Sequence, residues 1–308
     1  MNNVQELWTV IQPALRTILP STVAISFTGL SLRKNTNELR KIQANKMGEI
    51  ADQMLERGEI SHKEYIHFRN IKQIAIKADE IYKKKKPLAE SKKDTELKKV
   101  FDVDWFLRFY EDASNISNED MQQIWAGILA GEVSKPGSFS KRTLDVLRNM
   151  SPYDAEMFQN ISKYILLTTD SAILYANKSI HQKYQILVKQ ILYLEECGLL
   201  SSQVIDLNTT VLPEQPSGMF FVNNIICLAS SNDANGRRVR YQVYKFNAAA
   251  TQLFPIIKLP TDKQFVTDVI GNLSLKLSDI QFSLHRMNDT NYDAEPLNID
   301  ELHSDDWI

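Results

Sequence analysis

The chain has 308 residues, of which 43% are hydrophobic and 24% charged, an ordinary balance for a globular protein that excludes wholesale disorder. At that length two or three domains are expected, each burying a core of its own. The net charge is only −2, yet residues 1–100 carry 19 Lys or Arg against 12 Asp or Glu, leaving +7 there and −9 in the remainder; this points to an anionic partner for the N-terminal part, to contact between the two parts, or to a solvated helical surface.

The opening Met1-Asn2-Asn3-Val4-Gln5-Glu6 has neither the basic start nor the apolar run of a secretory signal, so a cytoplasmic location is expected. The longest uncharged run lies between Arg16 and Arg33 and is interrupted by Pro20, Ser21, Thr22, Ser26, Thr28 and Gly29. It falls short of the roughly 20 apolar residues a membrane span needs and reads as a buried or interfacial segment, so no membrane partner is expected. Cys197 and Cys227 each sit in an apolar stretch and read as free, buried thiols, with no disulfide framework and no zinc spacing.

In chain order, residues 1–82 form an N-terminal helical region. Leu39, Ile42, Ile50 and Met54 recur at helical spacing, as do Phe68, Ile71, Ala75, Ala78 and Tyr82. Gly58 suits the left-handed position that ends a helix, and Ser61-His62-Lys63-Glu64 is a capping box that starts the next, which together predict a helical hairpin. Residues 83–100 hold eight lysines and almost no apolar side chains, the composition of a basic linker that nucleic acid, acidic lipid or plain solvent could face.

Residues 101–175 read as a central helical domain. Val103, Phe106, Leu107 and Tyr110 make one apolar stripe and Trp105 and Phe109 another, while Asp104, Arg108 and Asp112 form a charge ladder on the remaining face. Ser117 is the expected cap of a helix carrying Met121, Ile124, Trp125, Ile128 and Leu129, in which Ala126, Gly127, Ala130 and Gly131 permit close approach of a neighbour. Pro136-Gly137 marks a turn, and Ser140 and Ser151-Pro152 start helices expected near 141–149 and 152–167.

Residues 176–285 change grammar. A helix with Tyr184, Leu187, Val188, Ile191, Leu192 and Leu194 stops at Gly198; β-rich runs at 219–229 and 238–246 flank a turn at 231–236; helices return at 248–257 and 262–273. This order of helix, hairpin and helix resembles a winged-helix module. Residues 286–308 form an acidic, flexible tail. The expected fold class is therefore mainly α, a helical hairpin plus a central helical bundle, followed by a small α+β winged-helix-like module.

The block running from Asp104-Trp105-Phe106-Leu107-Arg108-Phe109-Tyr110-Glu111-Asp112-Ala113 through Asn115-Ile116-Ser117 and Trp125-Ala126-Gly127-Ile128-Leu129-Ala130-Gly131-Glu132 to Lys135-Pro136-Gly137-Ser138-Phe139-Ser140 and Arg142-Thr143-Leu144 is similar to the core motif of a bacterial family of unknown function. The likeness covers residues 101–165, loosens after that, where Phe246-Asn247-Ala248-Ala249-Ala250 has alanine in place of an expected glycine, and is weak over 1–100. The resemblance implies a bacterial protein with no established activity, of a kind whose genes lie among accessory and phage-defence loci. It transfers no catalytic residue.

No phosphate-binding glycine loop, nucleophile elbow or metalloprotease helix is present, so no cofactor or metal is expected. Arg57 and His62 have the spacing of helical-hairpin ribonuclease toxins, in which a guanidinium stabilises phosphate charge and an imidazole moves the proton, although the residue after the arginine is Gly58. A hairpin turn accounts for the same residues. Asp104, Arg108, Glu111, Asp112, Glu132 and Arg142 are the candidate functional surface, either lining a polar pocket or paired with one another. Lys183, Lys189, Arg237, Arg238 and Arg240 are the candidate nucleic-acid contacts, opposed by Glu195 and Glu196. The expectation is a non-enzymatic interaction or adaptor protein, with a protein partner or self-association, set against a winged-helix DNA-binding regulator and a ribonuclease toxin using Arg57 and His62.

Overall fold

The computed structural model describes residues 48–85, 102–213, 215–287 and 295–297. The uncharged run after Arg16, nearly all of the basic linker and most of the acidic tail lie outside them. The chain divides into two compact units, Met1–Arg148 and Asn149–Ile308.

In the first unit a helix over residues 48–56 (α1) ends because Gly58 adopts φ +69°. The Glu59 N–H then reaches the Met54 carbonyl at 2.8 Å and the Gly58 N–H the Leu55 carbonyl at 3.0 Å, the paired bonds that close a helix C-terminus. Ile60 folds back on Met54 beside Ile50, Leu55 and Tyr65. Ser61 and Glu64 form the expected capping box, with Ser61 N–H to Glu64 Oε2 at 2.8 Å and Glu64 N–H to Ser61 Oγ at 3.3 Å. They open α2 (His62–Lys85), about 36 Å long at 1.5 Å per residue.

Buried Asn70, Ile74 and Ala78, four residues apart, form one seam of α2, which packs on α4 (Glu119–Ser134). The α2 side chains also hold the connection before α4. Asn70 Nδ2 donates to the Ser114 carbonyl at 2.8 Å and Lys77 Nζ to the Glu119 carbonyl at 3.0 Å. Between α2 and α4 runs α3 (Val103–Ala113), whose Trp105, Phe106, Phe109 and Tyr110 are all buried, as a helix apolar nearly all round requires. Phe109 stacks on Trp105 and meets Trp125 edge-on, with ring centroids 5.4 Å apart in each pair. The N-cap of α4 is Asn118, which accepts from the Met121 N–H, and not the expected Ser117. The last helix here is α5 (Lys141–Asn149).

The second unit runs α6 (Pro152–Ser162), β1 (Ile165–Leu167), β2 (Ala172–Tyr175), α7 (Lys178–Lys183), α8 (Val188–Glu196), β3 (Leu200–Val211), β4 (Ser217–Val222), β5 (Ile225–Ser231), β6 (Arg237–Phe246), α9 (Ala248–Ile257), α10 (Lys263–Lys276) and β7 (Ile280–Arg286). The strands form one antiparallel sheet in the order β3-β6-β2-β1-β4-β5-β7. It curls back on itself: Ser217 Oγ donates to the Thr210 carbonyl and the Tyr241 hydroxyl to the Met219 carbonyl, each at 2.9 Å, and Pro213 bridges Ser231.

The fold is therefore α+β, and the expectation of a mainly α chain, with a central helical bundle and only a small α+β module, is overturned by this seven-stranded sheet. The central bundle over 101–175 fails because the chain leaves helix at Ser162 and forms β1 and β2. Ile165-Leu166-Leu167 and Ala172-Ile173-Leu174-Tyr175 are short apolar runs almost wholly buried, and such runs carry no period that separates strand from helix. The winged-helix reading fails on pairing. The turn at 232–236 exists, with Gly236 at φ +73° and its N–H bonded to the Asp233 carbonyl at 2.9 Å. The strands beside it do not pair with each other: β5 lies between β4 and β7, and β6 between β3 and β2. A hairpin instead joins β4 to β5, spanning and slightly overrunning the β-rich run read at 219–229, and turns at Asn223, φ +52°. No helix among the described residues is long and apolar enough to cross a membrane.

Candidate functional site

The charge ladder of α3 meets a second ladder on α5. Lys141 Nζ lies 3.6 Å from Asp102 and 3.8 Å from Asp104, Arg108 pairs with Asp145, and Arg148 lies 3.8 Å from Asp112. The rungs occur in the same order on both helices, so α3 and α5 run in the same direction. Their signs alternate along each helix, so a slip of one rung would set like charge against like. The backbone N–H of Trp105, then Lys141, holds the Asp102 carboxyl below its ordinary range. Asp112 is the buried rung. Burial pushes its carboxyl up against the pull of Arg148 and Arg108, and its Oδ2 has no hydrogen-bond partner among the described residues. Glu111 is exposed on the same helix.

Glu132 serves a different purpose. It is 2% exposed, and its two oxygens accept from the Gly137 N–H at 2.6 Å and the Phe139 N–H at 3.1 Å, so one carboxylate shapes the whole 135–139 turn. Gly137 turns at φ +84°, and the Phe139 ring lies where a Cβ on Gly131 would stand, 2.6 Å from Cε2. Ser140 Oγ then accepts the Thr143 N–H at 3.2 Å and starts α5, on which Arg142 is exposed. The structure thus gathers Asp104, Arg108 and Asp112 with partners on α5, and commits Glu132 to a turn.

Sequence reasoning missed a surface on α8. Ile191 and Leu194 bury one side of this helix, while Leu187, Val188 and Leu192 are 46%, 66% and 47% exposed. On α6, Tyr153 is also exposed and meets Tyr193 edge-on at 5.6 Å. The Tyr193 hydroxyl bonds to Asp154, which pushes the phenol up to about 12. Burial raises the Asp154 carboxyl, but bonds from Tyr193 and from the Ser151 N–H outweigh it and hold the group below its ordinary range. The signal was in the sequence: Val188 and Leu192 on one side with Ile191 and Leu194 on another is more apolar surface than one nine-residue helix can bury.

The family described as protein of unknown function, DUF2806, matches residues 56–270. The chain belongs to the DUF2806 family. Comparison with curated proteins and with solved structures gives no match.

The DUF2806 span contains the α3–α5 ladder, the Glu132 turn and α8, and also the remaining candidates. Arg57 lies in the turn after α1, 3.8 Å from Glu59 Oε1, and His62 is the first residue of α2; both are exposed, on either side of a turn whose local bonds account for Gly58 and Ser61. Of the five candidate nucleic-acid contacts, Lys183 pairs with Asp268, Arg237 with Asp279 and Arg240 with Asp206. Arg238 on β6 and Lys189 on α8 are exposed. No group of three or more His, Cys, Asp or Glu among the described residues is arranged to hold a metal ion. Both cysteines are free thiols, and burial beside Asp154 pushes Cys197 up to about 11.

Proposed function

We propose that the protein is a non-enzymatic interaction protein, an adaptor that meets a protein partner through the exposed face of α8 and the neighbouring Tyr153. The observation that carries this reading is the exposure of Leu187, Val188 and Leu192 along a helix whose other side is already packed, with Tyr153 exposed on α6 beside Tyr193 of that helix. Large apolar side chains exposed near one another mark interaction sites, and because fully burying one from full exposure contributes about 1.5–3 kcal/mol, covering these half-exposed ones contributes about half of that each. The conversion of the α3–α5 charges into mutual pairs, and of Glu132 into a turn brace, supports a structural role for the 104–144 motif.

A cytoplasmic site of action fits the free thiols, which persist in reducing compartments. Bacterial origin and a role in phage defence or a stress response rest on the motif's resemblance alone. The pairing of Lys183, Arg237 and Arg240 with carboxylates weighs against a phosphate-binding surface. The test is a photo-cross-linking side chain placed at position 192 in the full-length protein inside its host. A discrete protein adduct is the expected product, and cross-linking to solvent alone would end the proposal.

A further inference from the structure

We infer that the occupant of the α8 face is a second copy of this chain, with the two α8 helices packed antiparallel across a two-fold axis near Leu192. The inference rests on the α8 reading above and names its partner.

Three local choices do α8 no good by itself. Its N-cap position holds Leu187, where Ser, Thr, Asp or Asn would satisfy a free N–H; no side chain caps from that position, and Gln190 instead reaches back to the Leu187 N–H at 2.8 Å. Its first turn carries exposed Lys189, and its last carries exposed Glu195 and Glu196. A helix favours acids at its start and bases at its end, because its N-terminus is the positive pole of the backbone dipole, so α8 has both charges reversed.

An antiparallel copy turns all three into advantages. Leu192 meets Leu192 of the second copy at the axis, and Val188 covers its last turn. Lys189 comes opposite Glu195 and Glu196 of that copy, and the two backbone dipoles oppose. Leu187 and Tyr153 rim the contact. Because the patch is self-complementary, every contact occurs twice, as an isologous interface requires. Any other partner would need a surface of its own with the same sequence of apolar and charged groups, whereas the chain already carries one.

Sedimentation velocity on the full-length chain at micromolar concentration tests this. The wild type is expected to be a dimer, and Leu192→Glu, which changes both sides of the axis, to raise the dissociation constant at least about a hundredfold with the circular dichroism unchanged. Lys189→Glu and Glu196→Lys each give monomers alone, and an equimolar mixture restores the dimer; Glu196 is the better choice because Glu195 also accepts the Ser202 N–H at 3.0 Å. A wild type monomeric at about 100 µM, or a dimer that Leu192→Glu leaves intact, overturns the inference. A monomer whose cross-linker at position 192 captures a different protein removes self-pairing and keeps the interaction reading, whereas a monomer with no protein adduct removes both.

Discussion

Gly131 and Phe139 show how little of a motif has to be chemical. The missing side chain of one is the seat of the other's ring, and Glu132 next door holds the backbone of the same turn with both oxygens. Alanine at Gly131 would improve helix propensity by about 1 kcal/mol. Its Cβ would stand 2.6 Å from the Phe139 ring, and overpacking of a buried site costs about 1–3 kcal/mol. Gly131→Ala is therefore expected to lose stability on balance in urea denaturation, and Phe139→Leu in the same background to recover part of the loss; a variant more stable than wild type would show that the ring moves aside freely. Spacing alone marked Gly131 as a packing residue, but nothing in the sequence said which ring it receives, because Phe139 arrives through a turn closed by Glu132, the left-handed Gly137 and Ser138, which bonds the Lys135 carbonyl.

At the scale of elements, the α3–α5 ladder works through its pattern more than its strength. Exposed ion pairs contribute about 0.2–1 kcal/mol each, so Lys141 with Asp104 adds little, while alternation of sign penalises every wrong register. Asp112 is the exception. Its folded-state pKa is raised by burial, so its contribution is fully present below the unfolded value of about 3.9 and is lost as pH rises through the folded value. Asp112→Asn stays neutral throughout; it should match the wild type at acid pH and exceed it in stability at neutral pH. Denaturation at both pH values checks this, and a variant weaker at neutral pH would mean that the Arg148 and Arg108 pairing outweighs burial. The sequence showed the α3 half of this ladder. Asp145 and Arg148 could not be assigned to it, since the pairing depends on two helices separated by α4 running side by side.

Across the second unit the sheet order sets the mechanical hierarchy. All four residues of β2 are buried, and the strand is hydrogen-bonded to β6 on one side and β1 on the other, while β3 and β7 are the ends. Amides of β2 should open only with the unit as a whole, and the outward-facing amides of β3 should exchange at least about a hundredfold faster. Hydrogen exchange resolved by residue measures this directly; equal protection in β2 and β3 would mean that β3, an end strand of the chain's own sheet, is covered along its length.

The amino-acid order by itself determined the devices that act over four residues or fewer: the Gly58 stop, the Ser61–Glu64 capping box, the Ser151-Pro152 helix start, the Gly236 turn and the stripes that make α2, α3 and α4 helical. Each is legible because both partners lie within one turn of the chain. Tertiary structure alone decided which strands pair, and so that the chain is α+β; it also decided which side of α8 stays in water. Those outcomes depend on free energy summed over contacts between distant segments. Runs such as Ile165–Leu167 and Ala172–Tyr175 are buried by their neighbours and have no period of their own to announce it.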